Sequence, residues 1–455
     1  MDNLRLYLVT YNVGTSSPDQ DLKELLSITD HKNDKRPDFF ILAFQEVKAQ
    51  PQNMLMDTLF DDPWTFAIKD LLHKDYIKLK ACRLQGLLLL TFCLKKHLLN
   101  IREMDTEYTR TGLAGMWGNK GAVSIRLNLY GCSICIVNSH LSAHDNHLDD
   151  RVEDYNSIIN DQEFHVPETS KIFYHDYVFW MGDLNFRLNE EFDRTPEEIE
   201  RLIVKKEIKA LFEHDQLRHV MKKGEAFSEL TEQDPTFPPT FKFTVGTPTY
   251  DYKRRPAWCD RILYRVNSNN YENITLKAEQ LTYKSHPNYS LSDHKPVSAE
   301  FIIKIPQPVS KMPKVQIDSQ PCVDQVFSDY SESVIEFDKI TSWDVEGENK
   351  AYYRLTKGIQ ENSEDWIGLF KENFCALDEY VTYEYVSKCS TPTDDSSKSG
   401  SSKTQDTKKY EITFPDLPNR FKGNYCLLYF SQNEDKVTSV LGISNVFPIV
   451  KADSD

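Results

Sequence analysis

The feature that most limits the folds open to this chain is a recurrence of short apolar runs, each closing on a polar motif. Leu6 to Val13, Phe39 to Val47, Val123 to Leu129, Ser133 to Leu141 and Tyr177 to Asn185 are of strand length, with helix-like or turn-rich segments between them. Strands buried on both faces read this way, so the stretch from Leu4 to about Ile305 is expected to form a layered α/β domain. Open α/β sheets concentrate chemistry at strand ends, which directs attention to the motifs that close each run. Two helix starts are legible. Ser17-Pro18-Asp19-Gln20 and Thr195-Pro196-Glu197-Glu198 each offer a hydroxyl N-cap, proline at the first helical position and Gln or Glu three residues after the cap.

The pattern changes at Ile305-Pro306-Gln307-Pro308-Val309-Ser310-Lys311-Met312-Pro313, where proline recurs without any period. Residues 306–317 read as an extended linker and a domain boundary. Beyond it, Ser331 to Phe337, Ala351 to Leu355, Trp366 to Phe370, Tyr380 to Val386, Tyr410 to Phe414, Gly423 to Phe430 and Val437 to Phe447 form short alternating runs separated by turns. Residues 318–450 are therefore expected to form a smaller all-β sandwich of immunoglobulin-like size, with a disordered loop near 391–407 that is rich in Ser, Thr, Lys and Asp.

Composition excludes several classes. A net charge of −16 opposes a main role in gripping nucleic acid, which demands a basic face. Before residue 310 there are 38 Lys and Arg against 45 Asp and Glu, and after it 16 against 25, so the shorter C-terminal part is the more acidic. That favours protein partners over direct attraction to anionic lipid. The longest apolar run, Leu87 to Leu94, falls well short of the ~20 residues of a membrane span, and the first residues show no signal-peptide pattern, so neither a transmembrane segment nor secretion is expected. Nine cysteines, odd in number and without zinc spacing, read as reduced thiols of a cytoplasmic protein.

The chemistry-bearing clusters all lie before residue 300. Tyr11-Asn12-Val13-Gly14 and Phe44-Gln45-Glu46-Val47 put an amide and a carboxylate at neighbouring strand ends. These are hard oxygen donors of the kind magnesium takes, although a carboxylate after a strand caps a helix as often as it binds a metal. Asn138-Ser139-His140-Leu141 sets a histidine after a buried strand, where a hydrogen-bonded core role is the commoner one. In Gly182-Asp183-Leu184-Asn185-Phe186-Arg187 the strand period points Asp183 and Asn185 to one side, a proton acceptor beside an amide donor. Asp260 and His294 complete the set. An aspartate bonded to one imidazole nitrogen fixes the tautomer and favours the charged ring, leaving Asp293 free to face a metal.

The ordered motifs TYNVG, FQEV, RTGLAGMWGNKGAV, NSHL, GDLNFR, PAWCDRIL and SDHKPV resemble the catalytic domain of the inositol polyphosphate 5-phosphatases, within the endonuclease/exonuclease/phosphatase superfamily. The part beyond the linker resembles a SKICH domain. The resemblance implies a four-layer α/β sandwich of two sheets flanked by helices. It also implies Mg2+-dependent removal of the 5-phosphate from phosphatidylinositol 3,4,5-trisphosphate and 4,5-bisphosphate, and from soluble inositol polyphosphates. By the same resemblance Glu46 is the main metal ligand with Asn12 and Asp293 close to it. Asp183 positions or deprotonates the attacking water, Asn185 and His140 stabilise charged oxygens, and His294, oriented by Asp260, assists at the scissile phosphate. Asn119 and Lys120 are expected on the 1-phosphate side, and Phe241, Lys242, Lys253, Arg254 and Arg255 on the 4-phosphate side. The sequence departs from the family where Phe241 replaces the usual tyrosine and where the 247–252 loop looks shortened. Implied partners are phosphoinositides at membrane surfaces, among them the endoplasmic reticulum and plasma membrane, and proteins that recruit the SKICH-like part.

Overall fold

The computed structural model describes residues 3–28, 36–48, 62–112, 120–271, 273–306, 334–355, 361–392, 408–415, 417 and 422–450. The first part of the chain contributes β1 (Asn3–Asn12), β2 (Phe39–Gln45), α1 (Pro63–Leu72), β3 (Tyr76–Leu84), β4 (Leu87–Leu94), β5 (Ile101–Arg110), β6 (Gly121–Leu129) and β7 (Cys132–His140). There follow α2 (Leu148–Asp161), β8 (Tyr177–Asp183), α3 (Pro196–Val204), α4 (Ile208–Phe212), α5 (Gln216–Lys223), β9 (Asp260–Val266), β10 (Ala278–Ser285) and β11 (Val297–Lys304). One sheet runs β10-β11-β1-β2-β4-β3, and β5-β6-β7-β8-β9 belong to a second.

Alternation along the strands builds the layers. In β1, Leu4, Leu6 and Leu8 face the core between the sheets, where they join Ile125, Ile136, Phe179 and Ile262. The intervening Tyr7, Val9 and Tyr11 turn outward onto Trp64 and Ile68 of α1. β8 repeats the division, sending Phe179 and Met181 inward and Val178 and Trp180 outward onto Tyr155 and Ile158 of α2 and Leu217 of α5. A side-chain period of two thus yields helix, sheet, sheet, helix, the four layers that the family resemblance implied. α3 begins as read, with Thr195 and Glu198 forming a capping box. The helix expected after Ser17 is absent: residues 23–27 form turns. Its backbone groups are taken by a tertiary partner, since Leu25 N donates to Tyr289 Oη at 2.9 Å and that hydroxyl donates to Asp21 O at 2.7 Å.

The C-terminal part adds β12 (Ile335–Phe337), β13 (Trp343–Asp344), β14 (Asn349–Leu355), β15 (Trp366–Lys371), β16 (Thr382–Tyr385), β17 (Ser390–Pro392), β18 (Lys409–Phe414), β19 (Gly423–Gln432), β20 (Thr438–Ile443) and β21 (Phe447–Val450). Its own core is built on Trp343, Tyr353, Ile412, Phe414, Leu427 and Phe447, between the sheet β12-β14-β18-β17 and the strands around β19. Residues 307–317 of the linker and 393–407 of the loop lie outside the described residues. The two parts are joined by more than the linker. β20 pairs with β5 through Thr438 and Met104, and the second sheet runs on to β13-β21-β19-β20-β5-β6-β7-β8-β9. Arg102 Nη1 donates to Val440 O at 2.6 Å and Glu103 N to Ser439 Oγ at 2.9 Å. At the other sheet's edge, Lys78 N donates to Cys375 O at 2.8 Å and Leu377 N to Lys78 O at 3.0 Å. Phe370, Phe374, Leu377, Leu428 and Phe430 pack into the same cluster as the inter-sheet core. The C-terminal part therefore covers two sheet edges that would otherwise present unpaired backbone groups.

Candidate active site

The site is set out by register. β7 and β8 run parallel with His140 opposite Asp183, and β8 pairs antiparallel to β9 with Asp183 opposite Asp260, which places three chemistry-bearing residues in one row. In the facing sheet, parallel β1 and β2 set Asn12 opposite Gln45. Glu46 follows in a left-handed conformation, φ 55°, which turns the chain out of the strand at the site. The row depends on Gly182. Its φ is 148°, and a Cβ there would lie 1.9 Å from Ser139 O, so only glycine permits this approach of β7 to β8 beside the His140–Asp183 pair.

A continuous polar chain crosses the site. Asp260 Oδ2 accepts from Thr240 Oγ1 at 2.6 Å and lies 2.9 Å from His294 Nδ1, while His294 Nε2 lies 3.7 Å from Asp183 Oδ2. Asn12 Nδ2 donates both to Asp183 Oδ2 at 2.9 Å and to Glu46 Oε1 at 3.1 Å. His140 Nε2 is 3.2 Å from Asp183 Oδ2 and 3.8 Å from Glu46 Oε1, and Lys120 Nζ contacts the same nitrogen. Burial opposes charge on His294, but the Asp260 and Asp183 carboxylates outweigh it and raise the imidazole to about 9. Asp183 goes the other way. Burial favours its neutral form, yet His294, His140 and Lys120 hold it well below the carboxylate range. Burial and the Lys120 ammonium lower His140. The centre thus holds a raised imidazole between the strongly acidic Asp183 and Asp260, whose own carboxyl burial raises against the pull of His294, with the lowered imidazole of His140 beside them.

Asp183, Asp260 and His294 bring ligand atoms within 4.8 Å of one another, a grouping that could hold a metal ion. Because His294 already spends Nδ1 on Asp260, the Glu46 side offers the better donors for a hard cation. The Glu46 side chain is 35% exposed, and Asn12 lies against it. Ser292, which precedes Asp293, packs on Gly14 of the same loop as Asn12. Asp293 Oδ2 accepts from Lys242 Nζ at 2.7 Å, and its carboxyl is lowered by His294 and Lys242 against burial.

The remaining expected positions divide. Arg254 Nη2 lies 3.1 Å from His144 Nδ1 at an exposed rim. Lys253 donates its backbone N–H to Asp251 Oδ1 at 3.1 Å. Arg255 turns inward, giving its nitrogens to Asp145 Oδ2 and to the carbonyls of Leu188, Asn189 and Phe192. Asn119 lies outside the described residues. Lys120 stands at the centre against His140. Asn185 reaches the site through a left-handed turn, φ 57°, and not through strand alternation, because β8 ends at Asp183. Three residues to which the sequence reading gave no task belong to the surroundings: Thr240 on Asp260, His144 on Arg254, and Arg187. The Arg187 guanidinium lies 4.4 Å from the Phe241 ring centroid, and that ring is 4.5 Å from His294. The motif GDLNFR already contained Arg187, but nothing in its spacing showed where the guanidinium would lie.

Among known proteins, the model of endonuclease/exonuclease/phosphatase family 2 matches residues 9–300 and that of the SKICH domain residues 335–449. Human phosphatidylinositol 4,5-bisphosphate 5-phosphatase A is 32% identical over 98% of this chain and 41% of that protein. The chain thus spans about two-fifths of the length of this relative and of its rodent counterparts. Mouse inositol polyphosphate 5-phosphatase K is 33% identical over 98% of this chain and 90% of its own. Among solved structures, the inositol polyphosphate 5-phosphatase domain of SPsynaptojanin, in complex with inositol (1,4)-bisphosphate and a calcium ion, superposes with a TM-score of 0.57 at 33% identity, covering 67% of this chain and 85% of that one. Cimex nitrophorin, at 24% identity and a TM-score of 0.53, shares the fold alone. On the reach of the family model and on one-third identity along nearly the whole of both chains, this protein belongs to the inositol polyphosphate 5-phosphatases of the endonuclease/exonuclease/phosphatase family, with a SKICH domain at its C-terminal end.

Proposed function

We propose that the chain is a magnesium-dependent phosphatase that removes the 5-phosphate of phosphatidylinositol 3,4,5-trisphosphate and 4,5-bisphosphate, and of soluble inositol polyphosphates with the same ring pattern, and so dampens phosphoinositide signalling. The observation that carries this reading is the unbroken polar chain from Asp260 through His294, Asp183 and Asn12 to Glu46. The names of the relatives support it, as does the inositol (1,4)-bisphosphate bound to the solved one, a ring without a 5-phosphate.

In this reading Glu46 is the principal magnesium ligand, with Asn12 and Asp293 beside it. Bound there, the ion neutralises charge on the phosphoryl oxygens. Asp183 holds the attacking water. With its carboxyl so acidic, it contributes orientation and charge more than basicity. Asn185 and His140 donate to the phosphoryl oxygens, and His294, kept cationic by Asp260, faces the same charge. Asn119 and Lys120 serve the 1-phosphate side; Lys242, Lys253 and Arg254 serve the 4-phosphate side, with Arg255 fixing the loop beneath them. The SKICH domain recruits protein partners that bring the enzyme from the cytoplasm to phosphoinositide-bearing membranes of the endoplasmic reticulum and cell surface. Among the described residues no helix is long and apolar enough to cross a membrane.

Phosphate release with magnesium, measured across inositol lipids, soluble inositol phosphates and abasic DNA, tests the reading. Turnover is expected on the 4,5-bisphosphorylated lipid, lost on chelation and lost in Asp183→Ala. Cleavage of the DNA alone, or full turnover by Asp183→Ala, refutes it.

A further inference from the structure

Arg187 is a buried cation with a hydrogen-bond donor to spare. It is 3% exposed, yet among the described residues no carboxylate lies in salt-bridge range of its guanidinium. Two of its nitrogens grip one neighbour: Nε donates to the Asn185 carbonyl at 2.9 Å and Nη2 to the Asn185 side-chain oxygen at 2.5 Å. Nη1 is buried without any hydrogen-bond partner. The Phe241 face below the guanidinium, 4.4 Å away, supplies some attraction but accepts no ordinary hydrogen bond. Burying an ion without a counter-charge costs several kcal/mol, and an orphaned charged donor adds to that cost. An arrangement of this kind is stable in use when an anion completes it.

The grip on Asn185 has a second effect. The Asn185 amide oxygen is taken by Arg187, and its Nδ2 donates to Leu141 O at 3.0 Å, so the side-chain amide is fixed at both ends with one N–H left over. The same residue's backbone N–H donates to Asp183 Oδ1 at 3.1 Å, which ties this unit to the row of catalytic candidates. Arg187 is itself anchored from behind, its backbone N–H donating to Gln216 Oε1, which also accepts from Arg151 Nη2.

We infer that Arg187 is a phosphate-binding residue of this site, which locks the Asn185 amide with Nε and Nη2 and presents Nη1 to an oxygen of the substrate phosphate whose charge balances its own. The inference rests on the phosphatase reading for its ligand and on the geometry above for the residue. A fork of five donors suits both tasks at once, whereas a lysine ammonium could perform only one.

The full chain, as wild type, Arg187→Gln and Arg187→Lys, is compared by phosphate release from 4,5-bisphosphorylated lipid and by thermal melting with and without inorganic phosphate. Arg187→Gln is expected to lower kcat/KM by ~10²–10³-fold, the effect of removing one transition-state donor, and to lose the rise in melting temperature that phosphate gives the wild type. Its melting temperature without phosphate should equal or exceed that of the wild type, since a buried charge has been removed. Arg187→Lys should recover phosphate-dependent stabilisation but not kcat. Wild-type activity in Arg187→Gln, undiminished stabilisation by phosphate, or a lower melting temperature without phosphate overturns the inference. If the wild type hydrolyses none of the lipids but its phosphate stabilisation still vanishes in Arg187→Gln, the phosphatase reading fails and the anion site stands.

Discussion

Gly182→Ala should disable the site from within the sheet. A Cβ at this position lies 1.9 Å from Ser139 O, against the ~3.3 Å at which a carbon and a carbonyl oxygen normally meet, so β7 and β8 must separate by more than about 1 Å. Relief by local rotation is closed off, because φ is 148°, a region that L side chains rarely adopt. The backbone strain costs ~1–3 kcal/mol and overpacking a similar amount, so a loss of ~2–6 kcal/mol is expected, a large part of the ~5–15 kcal/mol that holds a typical domain together. Activity should suffer as much, since the separation opens beside the His140–Asp183 pair, and ~1 Å of misplacement at a reacting centre is worth ~10²-fold in rate. Gly224→Ala is the control. It has φ 73° but nothing within 4 Å of the added Cβ, so it carries backbone strain without a clash. Denaturant unfolding and phosphate-release kinetics on both variants separate the terms. If Gly182→Ala loses no more stability than Gly224→Ala and keeps kcat/KM within threefold of wild type, the account of the strand contact is wrong.

Two further outcomes follow from the packing. A chain shortened to residues 1–306 uncovers the edges at Lys78 and at Arg102–Met104, and should melt lower and self-associate in light scattering; a monomer with the full chain's melting temperature would falsify the role given to the C-terminal domain. Stability should also fall with acid through His175. Its Nδ1 donates to the Ile172 carbonyl, its Nε2 accepts from Arg126, and burial lowers it to about 3. The unfolded chain, titrating near 6.5, takes the proton first, so the contribution is intact above about pH 6.5 and is lost as pH drops towards 3, at ~1.4 kcal/mol per unit once well below 6.5. Urea unfolding of wild type and His175→Gln at pH 7.5 and 5 should show the steeper loss in the wild type, and equal losses would refute it.

Much of the site was legible because strand ends carry it. The apolar runs of β1, β7 and β8 read correctly as buried strands, and the motifs at Asn12, His140 and Asp183 fall where those strands end. What escaped was set by turns and register. Asn185 and Glu46 point as they do through left-handed residues, which a period of two does not describe. Lys120 meets His140 because Gly121 pairs with His140 in the β6–β7 register, a relation between segments. The false helix at Ser17 had sound capping chemistry but lost its backbone donor at Leu25 to Tyr289, 264 residues away. The seam between the parts was equally hidden, since edge pairing uses backbone groups that every sequence has.

That seam also sets an order on biosynthesis. Glu103 and its partner Ser439 are 336 residues apart, and translation at ~5–20 residues per second separates their emergence by roughly 20–70 s. Over its last part, from Lys304 to Ser439 and roughly 7–27 s at the same rate, the nascent α/β domain can complete its strands while the edges at β3 and β5 stand bare. A chaperone that shields exposed strand edges has its window there, and a ribosome stalled beyond residue 306 would hold the chain in its most adhesive form.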